Sequence, residues 1–405
     1  MQKVIDAVLQ KLSRQCSETP FAAEFWDGTV KHYGSGKEAF KIVIRSESSI
    51  KKILGGGSLA FGEEFSAGNI EVVGDLPAML GMYGQWRAVS GSLSLATLVA
   101  ILWNRAFSRH TVSGAGKNAR RHYDIGDSFY SLWLDSTMTY SCAYFKNDTD
   151  DLEAAQNNKY EHICRKLRLQ TGESLVDIGC GWGQMIFYAA KKYGAVCTGY
   201  TLSQNQYDYI TDKIKKDGLE GRVSVYLQDY RKAQGSFDKF VSIGMFEHVG
   251  KRYQEKFFAI AKKILKPQGT GLLHTIGSKD GAATDPWIER YIFPGGYIPA
   301  LAQVVQNMSK EGLVFYDIED LRLHYAKTLD LWIANFENNL GQIKKVMAAQ
   351  LRDEKQAEQF IRRWRLYLNG SAVSFKDAGN RLYQILFTNG VNNNLPLTRD
   401  YIYSI

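Results

Sequence analysis

The chain has 405 residues, too many for one compact domain of usual size, which predicts two domains of unequal length. Hydrophobic residues make up 45% and charged residues 23% of the chain, which indicates a globular protein able to bury large cores. The 50 Lys and Arg residues exceed the 42 Asp and Glu residues, and the net charge of +8 favours an anionic partner, either nucleic acid or a lipid surface.

The cysteines argue against a metal centre and against disulfides. The five of them, at positions 16, 142, 164, 180 and 197, form no Cys-x-x-Cys pair and have no metal-ligand spacing. The first residues, with Asp6 and Arg14 in a broken amphipathic pattern, do not resemble a secretory signal. We therefore expect reduced thiols, no metal and a cytoplasmic protein.

The first part of the chain, residues 1–104, predicts a smaller mixed α/β domain. Strands are expected at 29–33 and 39–44, and a helix at 48–54 before the glycines at 55–57. Five apolar residues are expected in its core, namely Phe61, Phe65, Ile70, Val72 and Val73. No catalytic constellation is found there.

Two segments at the end of this region suggest contact with lipid. Residues 88–104 carry no charge, but their serines and glycine make them too short for a membrane span and favour a buried or interfacial helix. Residues 105–121 contain six basic residues, counting one His, and predict a linker. The linker is either a solvated tether or a segment that faces phospholipid.

From residue 122 to 405 we expect the catalytic domain. An aromatic-rich stretch and a helix at 152–169 lead into alternating strands and helices, which predict a parallel sheet with right-handed crossovers. The expected strands are 174–178, 195–200, 223–227, 237–243 and 270–276, and the expected helices are 184–193, 204–217 and 253–265. A stretch from 277 to 303 predicts an inserted lid, followed by a helical zone at 329–368 and a last strand at 383–388.

The turn after the first of these strands predicts a ligand site. Gly179, Gly181 and Gly183 let the backbone turn sharply and approach a ligand, and the next helix offers its positive N-terminal end. A dinucleotide fingerprint needs its third glycine at position 184, which is Gln184. The spacing, with Asp177 two residues ahead, resembles the first motif of class I S-adenosylmethionine-dependent methyltransferases. A glycine turn that binds no ligand is the alternative.

Further candidates follow the later strands. Thr201 and Gln206 stand where many such enzymes have an acidic residue for the ribose, and Asp229 and Tyr230 are placed to contact the adenine. Each of these residues is also a common turn former. Three groups are candidates for the acceptor side: Glu247 after the fourth strand, His274 at the end of the fifth, and Tyr325 beyond the lid.

At these residues the sequence resembles the cyclopropane-fatty-acyl-phospholipid synthases and the related mycolic acid cyclopropane synthases. The motifs are RHYDIG (121–126), YSCAY (140–144), VDIGCGWG (176–183), TLSQNQ (201–206), GMFEHVG (244–250), LLHTI (272–276), IFPGG (292–296) and HYAKTL (324–329). The resemblance covers residues from about 120 to 400. The N-terminal region fits the extra domain of the bacterial phospholipid enzymes, which favours membrane phospholipid as substrate and a role for that domain in docking or dimerisation.

The resemblance implies methylene transfer from S-adenosylmethionine to the cis double bond of an acyl chain. It implies a bound bicarbonate as base, held by residues matching Cys142, Glu247, His274, the Ile276 backbone and Tyr325. The cofactor contacts that it implies are Tyr140, Ser141, Gly179, Gly181, Thr201, Leu202, Gln206 and Tyr230. It further implies a homodimer on the inner face of the membrane and no nucleic-acid partner.

One departure and two rivals stay open. Family members often have a cysteine in a Tyr-Leu-x-x-Cys-Ala segment, whereas this chain has Ser371, so a thiol nucleophile is not required there. Within the fold, the same cation can give a methyl-branched or hydroxylated chain instead of a ring. Outside it, the rival is a lipid-binding or nucleic-acid-binding module without catalysis.

Overall fold

The computed structural model describes residues 1–82, 126–377 and 379–403, with the side chains of residues 282 and 283 left aside. The described chain divides into two units. The first contains residues 1–82, 285–294 and 332–377, and the second contains residues 126–284, 295–331 and 379–403. The apolar segment 88–104 and the basic linker 105–121 lie outside the described residues.

The helices and strands are numbered in chain order. The helices are α1 (Gln2–Gln15), α2 (Glu47–Ser66), α3 (Asp127–Tyr130), α4 (Leu152–Leu167), α5 (Gln184–Tyr193), α6 (Gln204–Lys216), α7 (Gln254–Ile264), α8 (Pro286–Tyr291), α9 (Leu301–Lys310), α10 (Arg322–Asn338), α11 (Leu340–Leu351), α12 (Glu354–Lys376) and α13 (Asp400–Tyr403). The strands are β1 (Phe21–Glu24), β2 (Val30–Tyr33), β3 (Phe40–Ile44), β4 (Ile70–Gly74), β5 (Ser174–Ile178), β6 (Val196–Thr201), β7 (Val223–Leu227), β8 (Phe237–Ile243), β9 (Leu265–Ser278), β10 (Ala282–Ala283), β11 (Tyr297–Ile298), β12 (Leu313–Asp320) and β13 (Asn380–Asn389).

The first unit contains a four-stranded mixed sheet in the order β2-β1-β3-β4. Phe21 stacks between Tyr33 and Phe40 at the centre of its core. The helix expected at 48–54 does not stop at the glycines. It continues as α2 through a kink at Gly57, where a φ of 59° is accessible to glycine at little cost.

Two later segments of the chain belong to this first unit. The ring of Trp287 in α8 packs so closely against Gly62 in α2 that a Cβ at position 62 would overlap it. Arg362 of α12 donates to the carbonyls of Phe65 and Ile70, at 2.8 and 3.0 Å. The division therefore differs from the boundaries expected from the sequence, because these contacts join residues more than 200 positions apart.

The second unit contains a seven-stranded sheet in the order β12-β13-β9-β8-β5-β6-β7. Strands β5 to β9 are parallel to one another, and β13 is antiparallel to both β9 and β12. Apolar cores lie on both faces, one including Ile163 and Met185, the other Phe257 and Met308. The α/β fold is confirmed, with helices covering a mostly parallel sheet.

The stretch expected as a lid divides between the units. Residues 285–294, which include α8, belong to the first unit, whereas β10 and β11 pair with each other in the second. Within the described residues, no helix combines the length and the apolar character that crossing a bilayer requires.

Candidate active site

The glycine turn joins β5 to α5. All three of its positions need a backbone conformation that favours glycine, but only two of them also lack space for a side chain. All three have positive φ, of 80°, 55° and 83°. A Cβ on Gly179 would lie 2.5 Å from Met245, and one on Gly183 would lie 2.9 Å from Ile210. At Gly181 nothing stands within 4 Å of the added atom. The backbone is therefore open to a ligand at Gly181, at the carboxyl end of the parallel strands.

The polar residues expected at the ribose contact one another. The Thr201 hydroxyl donates to Gln206 Oε1 at 2.7 Å and accepts from the backbone N–H of Ser203 at 3.2 Å. Ser203 caps α6, and Leu202 lies between it and Thr201. These bonds fix the end of β6 next to the glycine turn, since β6 pairs with β5.

The residues expected at the adenine have partners within their own loop. Arg231 donates to both carboxylate oxygens of Asp229, at 2.8 and 2.6 Å. Burial acts to raise the pKa of Asp229, but these bonds outweigh it and lower the pKa. The Tyr230 ring packs edge-on against Phe257. The contact of Asp229 and Tyr230 with adenine stays a prediction.

The segment 140–142 precedes α4 and lies against it. Tyr140 packs on the rings of Tyr130 and Trp133. The Ser141 carbonyl accepts from Gln156 Nε2 at 2.9 Å. Cys142 is fully buried, and burial raises the pKa of its thiol, so that the group is neutral.

Strand β9 positions two of the acceptor-side residues, one through its backbone and one that it carries. Glu247 Oε1 accepts from the backbone N–H of Ile276 at 2.5 Å. His274 lies two residues earlier and so on the same face of the strand. Its Nδ1 is 3.2 Å from Gln384 Nε2. Ile276 was expected to offer its backbone to the anion, and in the structure its N–H is donated to Glu247.

Helix α10, which carries Tyr325, is hydrogen-bonded to the segment that follows Cys142. The backbone N–H of Ala143 donates to the Thr328 hydroxyl, and that of Phe145 donates to His324 Nδ1, each at 3.0 Å. Tyr325 lies between these two anchor residues on the helix. The segment after Cys142 and the first turns of α10 are therefore held together by two backbone donors.

Several buried side-chain atoms at this edge of the sheet have no hydrogen-bond partner among the described residues. They are Asp177 Oδ1, Glu247 Oε2, His274 Nε2 and Gln384 Oε1. Buried polar groups in folded proteins are nearly always satisfied, so such a cluster indicates a site for a polar ligand. Burial raises the pKa of Asp177 to about 7 and raises that of Glu247, while it lowers the pKa of His274 well below 6.5.

Sequence reasoning missed Lys159. The residue is 1% exposed, and its ammonium donates to Ser141 Oγ at 2.8 Å. The signal was its register on α4, because it lies on the stripe with Ala155, Ile163 and Cys164, all of them buried. A lysine among core positions is rarely solvated.

The sheet order, the glycine turn and the ligand edge define a class I S-adenosylmethionine-dependent methyltransferase. Comparison with known proteins places the chain more narrowly. It belongs to the family described as mycolic acid cyclopropane synthetase, which matches residues 110–385, and a domain of unknown function matches residues 8–86. The predicted family, fold class and enzyme class are confirmed.

Among its relatives, a probable fatty acid methyltransferase of Pseudomonas putida is 35% identical over 96% of this chain and 98% of its own length. The cyclopropane-fatty-acyl-phospholipid synthase of Escherichia coli K12 is 34% identical over 90% of this chain and 92% of its own. Among solved structures, the mycolic acid cyclopropane synthase CmaA1 in complex with SAH and CTAB matches with a TM-score of 0.62 and 34% identity, over 67% of this chain and 98% of that one.

Proposed function

We propose that this protein transfers a methylene group from S-adenosylmethionine to the cis double bond of an unsaturated acyl chain in a membrane phospholipid. The alkene attacks the methyl carbon of the sulfonium, forming a carbon–carbon bond as the carbon–sulfur bond breaks. Loss of a proton from the transferred methyl group then closes a cyclopropane ring. A base is needed that takes this proton without capturing the cation.

The observation that supports this best is the chemistry of two buried atoms without partners. Gln384 Nε2 can only donate, so His274 Nδ1 accepts and the neutral ring has its proton on Nε2. Burial favours the protonated form of Glu247, whose second oxygen is then a donor as well. With Glu247 protonated and His274 in this tautomer, Glu247 Oε2 and His274 Nε2 are two buried donors with no acceptor among the described residues.

These donors fit a small oxyanion, and we propose that bicarbonate binds there. When bound, bicarbonate supplies the base that accepts the proton. Glu247 and His274 donate to it, the Cys142 thiol and Tyr325 close the same site, and Ile276 orients Glu247 through its N–H. A protonated Glu247 also removes the repulsion that a carboxylate would exert on an anion.

Phospholipid is the proposed acyl carrier because of the first unit. The E. coli phospholipid synthase aligns over 90% of this chain, whereas the mycolic acid synthase structure covers 67%. The net charge of +8 and the basic residues 105–121 suit an anionic bilayer. We propose a cytoplasmic protein, peripheral on the inner face of the membrane and active as a homodimer.

Methyl transfer to vesicles tests this function. Purified protein is incubated with methyl-labelled S-adenosylmethionine and vesicles of phosphatidylglycerol that contain either cis-unsaturated or saturated chains. We expect label in the lipid only with unsaturated chains, and at least roughly tenfold slower labelling by the Glu247→Gln variant. Binding of the cofactor without transfer to either lipid would favour a module that has lost catalysis.

A methyl-branched product is the second candidate, and one observation favours it. The P. putida relative, which aligns over 96% of this chain, is named a probable fatty acid methyltransferase. The same carbocation gives a branched alkene if it loses a proton from a neighbouring chain carbon instead of from the new methyl group. Analysis of the product separates the two outcomes.

A further inference from the structure

Lys159 is hydrogen-bonded to Ser141, which lies in sequence between Tyr140, an expected cofactor contact, and Cys142, an expected contact of the anion. Its ammonium donates to Ser141 Oγ at 2.8 Å and to Gln156 Oε1 at 2.7 Å. Gln156 in turn donates to the Ser141 carbonyl at 2.9 Å. One turn of α4 therefore forms hydrogen bonds with both the side chain and the backbone of Ser141.

The lysine is a buried cation with acidic neighbours. Burial lowers the pKa of Lys159 to about 7, and the acidic groups of Asp135 and Asp177 oppose that effect. A buried ammonium is costly unless hydrogen bonds and opposite charge compensate it. The position is therefore one at which an anion bound nearby would be favoured.

The proposed anion otherwise meets only neutral groups. Cys142 is a buried thiol, His274 is neutral, and Glu247 is favoured in its protonated form. Burial has the largest effect on the pKa of both Cys142 and His274. The charge of Lys159 opposes burial at Cys142 and adds to it at His274, where the charge of Lys166 acts in the same direction and Glu319 opposes both. Coulomb interactions of this kind act over several ångströms where water is excluded.

A second buried lysine on the same helix has a different environment. Lys166 is also 1% exposed, but its ammonium forms an ion pair with Glu319 at 2.5 Å. Glu319 also bonds to His162. The charge of Lys166 is thus matched within its own ion pair, which makes it a control for Lys159.

We propose that Lys159 is a positioning residue with two effects: it fixes Ser141 between Tyr140 and Cys142, and its charge stabilises the bound bicarbonate without contacting it. The second effect rests on the proposed anion-assisted function. The first depends only on methyltransferase activity, which allows the two to be tested apart.

The test compares four variants in the full-length protein. Lys159→Met removes the charge and the hydrogen bonds, Lys159→Arg keeps the charge, Ser141→Ala removes only the acceptor, and Lys166→Met is the control. Three quantities are measured: the affinity for S-adenosylhomocysteine by calorimetry, the bicarbonate concentration for half-maximal turnover, and the rise in unfolding temperature on adding bicarbonate rather than chloride.

We expect Lys159→Met to raise the half-saturating bicarbonate concentration by roughly tenfold and to abolish the bicarbonate-specific rise in unfolding temperature. Lys159→Arg should restore most of both. Ser141→Ala should weaken S-adenosylhomocysteine binding by roughly fivefold and leave the bicarbonate response within about twofold. Lys166→Met should lower the unfolding temperature but change neither the affinity for S-adenosylhomocysteine nor the response to bicarbonate.

Two results would overturn the inference. If Lys159→Met leaves the bicarbonate response of an anion-dependent enzyme unchanged, or if Lys166→Met changes it equally, the charge of Lys159 has no special role. If Ser141→Ala and Lys159→Met both bind S-adenosylhomocysteine normally, the positioning role is wrong. A wild-type enzyme that makes the ring without any response to bicarbonate would refute the anion role of Lys159 and the proposed base together, while leaving methylene transfer in place.

Discussion

Glu247 is tied to Ile276 by a hydrogen bond of 2.5 Å from the backbone of strand β9, while its other oxygen is buried without a partner among the described residues. One oxygen therefore fixes the position of the side chain, and the other is the one that we propose bonds to the anion. An amide in place of the acid keeps the anchor, because its carbonyl still accepts from Ile276, and it still offers an N–H donor. Unlike the acid, it cannot share or release a proton with the bound anion.

We predict that Glu247→Gln, like His274→Ala, lowers turnover by at least roughly tenfold, about 1.4 kcal/mol of barrier, while S-adenosylhomocysteine affinity stays within about twofold. Steady-state rates in bicarbonate buffer and calorimetry measure the two effects. Glu255→Gln is the matched control, since Glu255 forms an exposed ion pair with Lys310 and is not among the proposed site residues. Unchanged turnover would remove both residues from the site.

Substitutions in the glycine turn should affect the stability of the fold and the affinity for the cofactor to different extents. Gly181→Ala should cost about 1 kcal/mol of stability from its positive φ and should weaken cofactor binding by roughly tenfold, because the added methyl group enters the open side of the turn. Gly179→Ala should cost about 1–3 kcal/mol more, because its Cβ meets Met245.

Gly218→Ala is the control for Gly181→Ala. Gly218 has a φ of 62° and nothing within 4 Å of an added Cβ, but it follows α6 rather than the glycine turn. Urea unfolding and calorimetry should show a similar stability loss with normal cofactor affinity. Normal affinity in Gly181→Ala as well would place the cofactor elsewhere.

Glu319 predicts an acid-sensitive contribution to stability. Burial acts to raise its pKa, but hydrogen bonding to His162 and the charge of Lys166 outweigh burial and lower the pKa to about 2. A carboxylate with a depressed pKa stabilises the fold above its unfolded pKa of about 4.3, and this stability is lost as the pH falls towards the folded value. The contribution is on the order of 3 kcal/mol.

Glu319→Gln should therefore be less stable than the wild type at pH 7 by about 2–3 kcal/mol, and the difference should shrink between about pH 5 and pH 3. Urea unfolding at several pH values measures this. A difference that stays constant with pH would mean that Glu319 acts through packing rather than through its charge.

Ser371 stands where many family members have a cysteine, and it lies within helix α12 of the first unit. We predict that Ser371→Cys leaves turnover within about twofold, since the proposed reaction forms no covalent bond to the enzyme. Ser371→Ala should behave alike. A large gain in rate for the cysteine variant alone would point to a thiol in the chemistry.

Much of the catalytic fold could be predicted because its inner strands β5 and β8 are mostly buried and apolar, and because strands alternate with helices of ordinary length. Strands β5, β7 and β8 have the expected bounds. Strand β12 was missed because it lies at the sheet edge, with Val314, Phe315 and Tyr316 all exposed and acidic residues after them. Its apolar run is only four residues long (313–316) and gives way to acidic residues at Asp317, so it is at the short limit of what indicates a strand.

The candidate site was predictable only in part. Strand ends gave Glu247 and His274, because parallel strands bring their carboxyl ends to one edge. The hydrogen bond from the N–H of Ile276 to Glu247 joins residues 29 positions apart, and that from Lys159 to Ser141 joins residues 18 positions apart. Neither contact can be predicted from the local sequence pattern. The assignment of α8 and α12 to the first unit depends on long-range packing in the same way.

The most direct test of the central claim uses S-adenosylmethionine with a fully deuterated methyl group and cis-unsaturated phospholipid vesicles. If a proton leaves the transferred carbon and the ring closes, the product keeps two deuterons, and NMR shows a cyclopropane. A product that keeps three deuterons, in a methyl-branched or hydroxylated chain, would contradict the account.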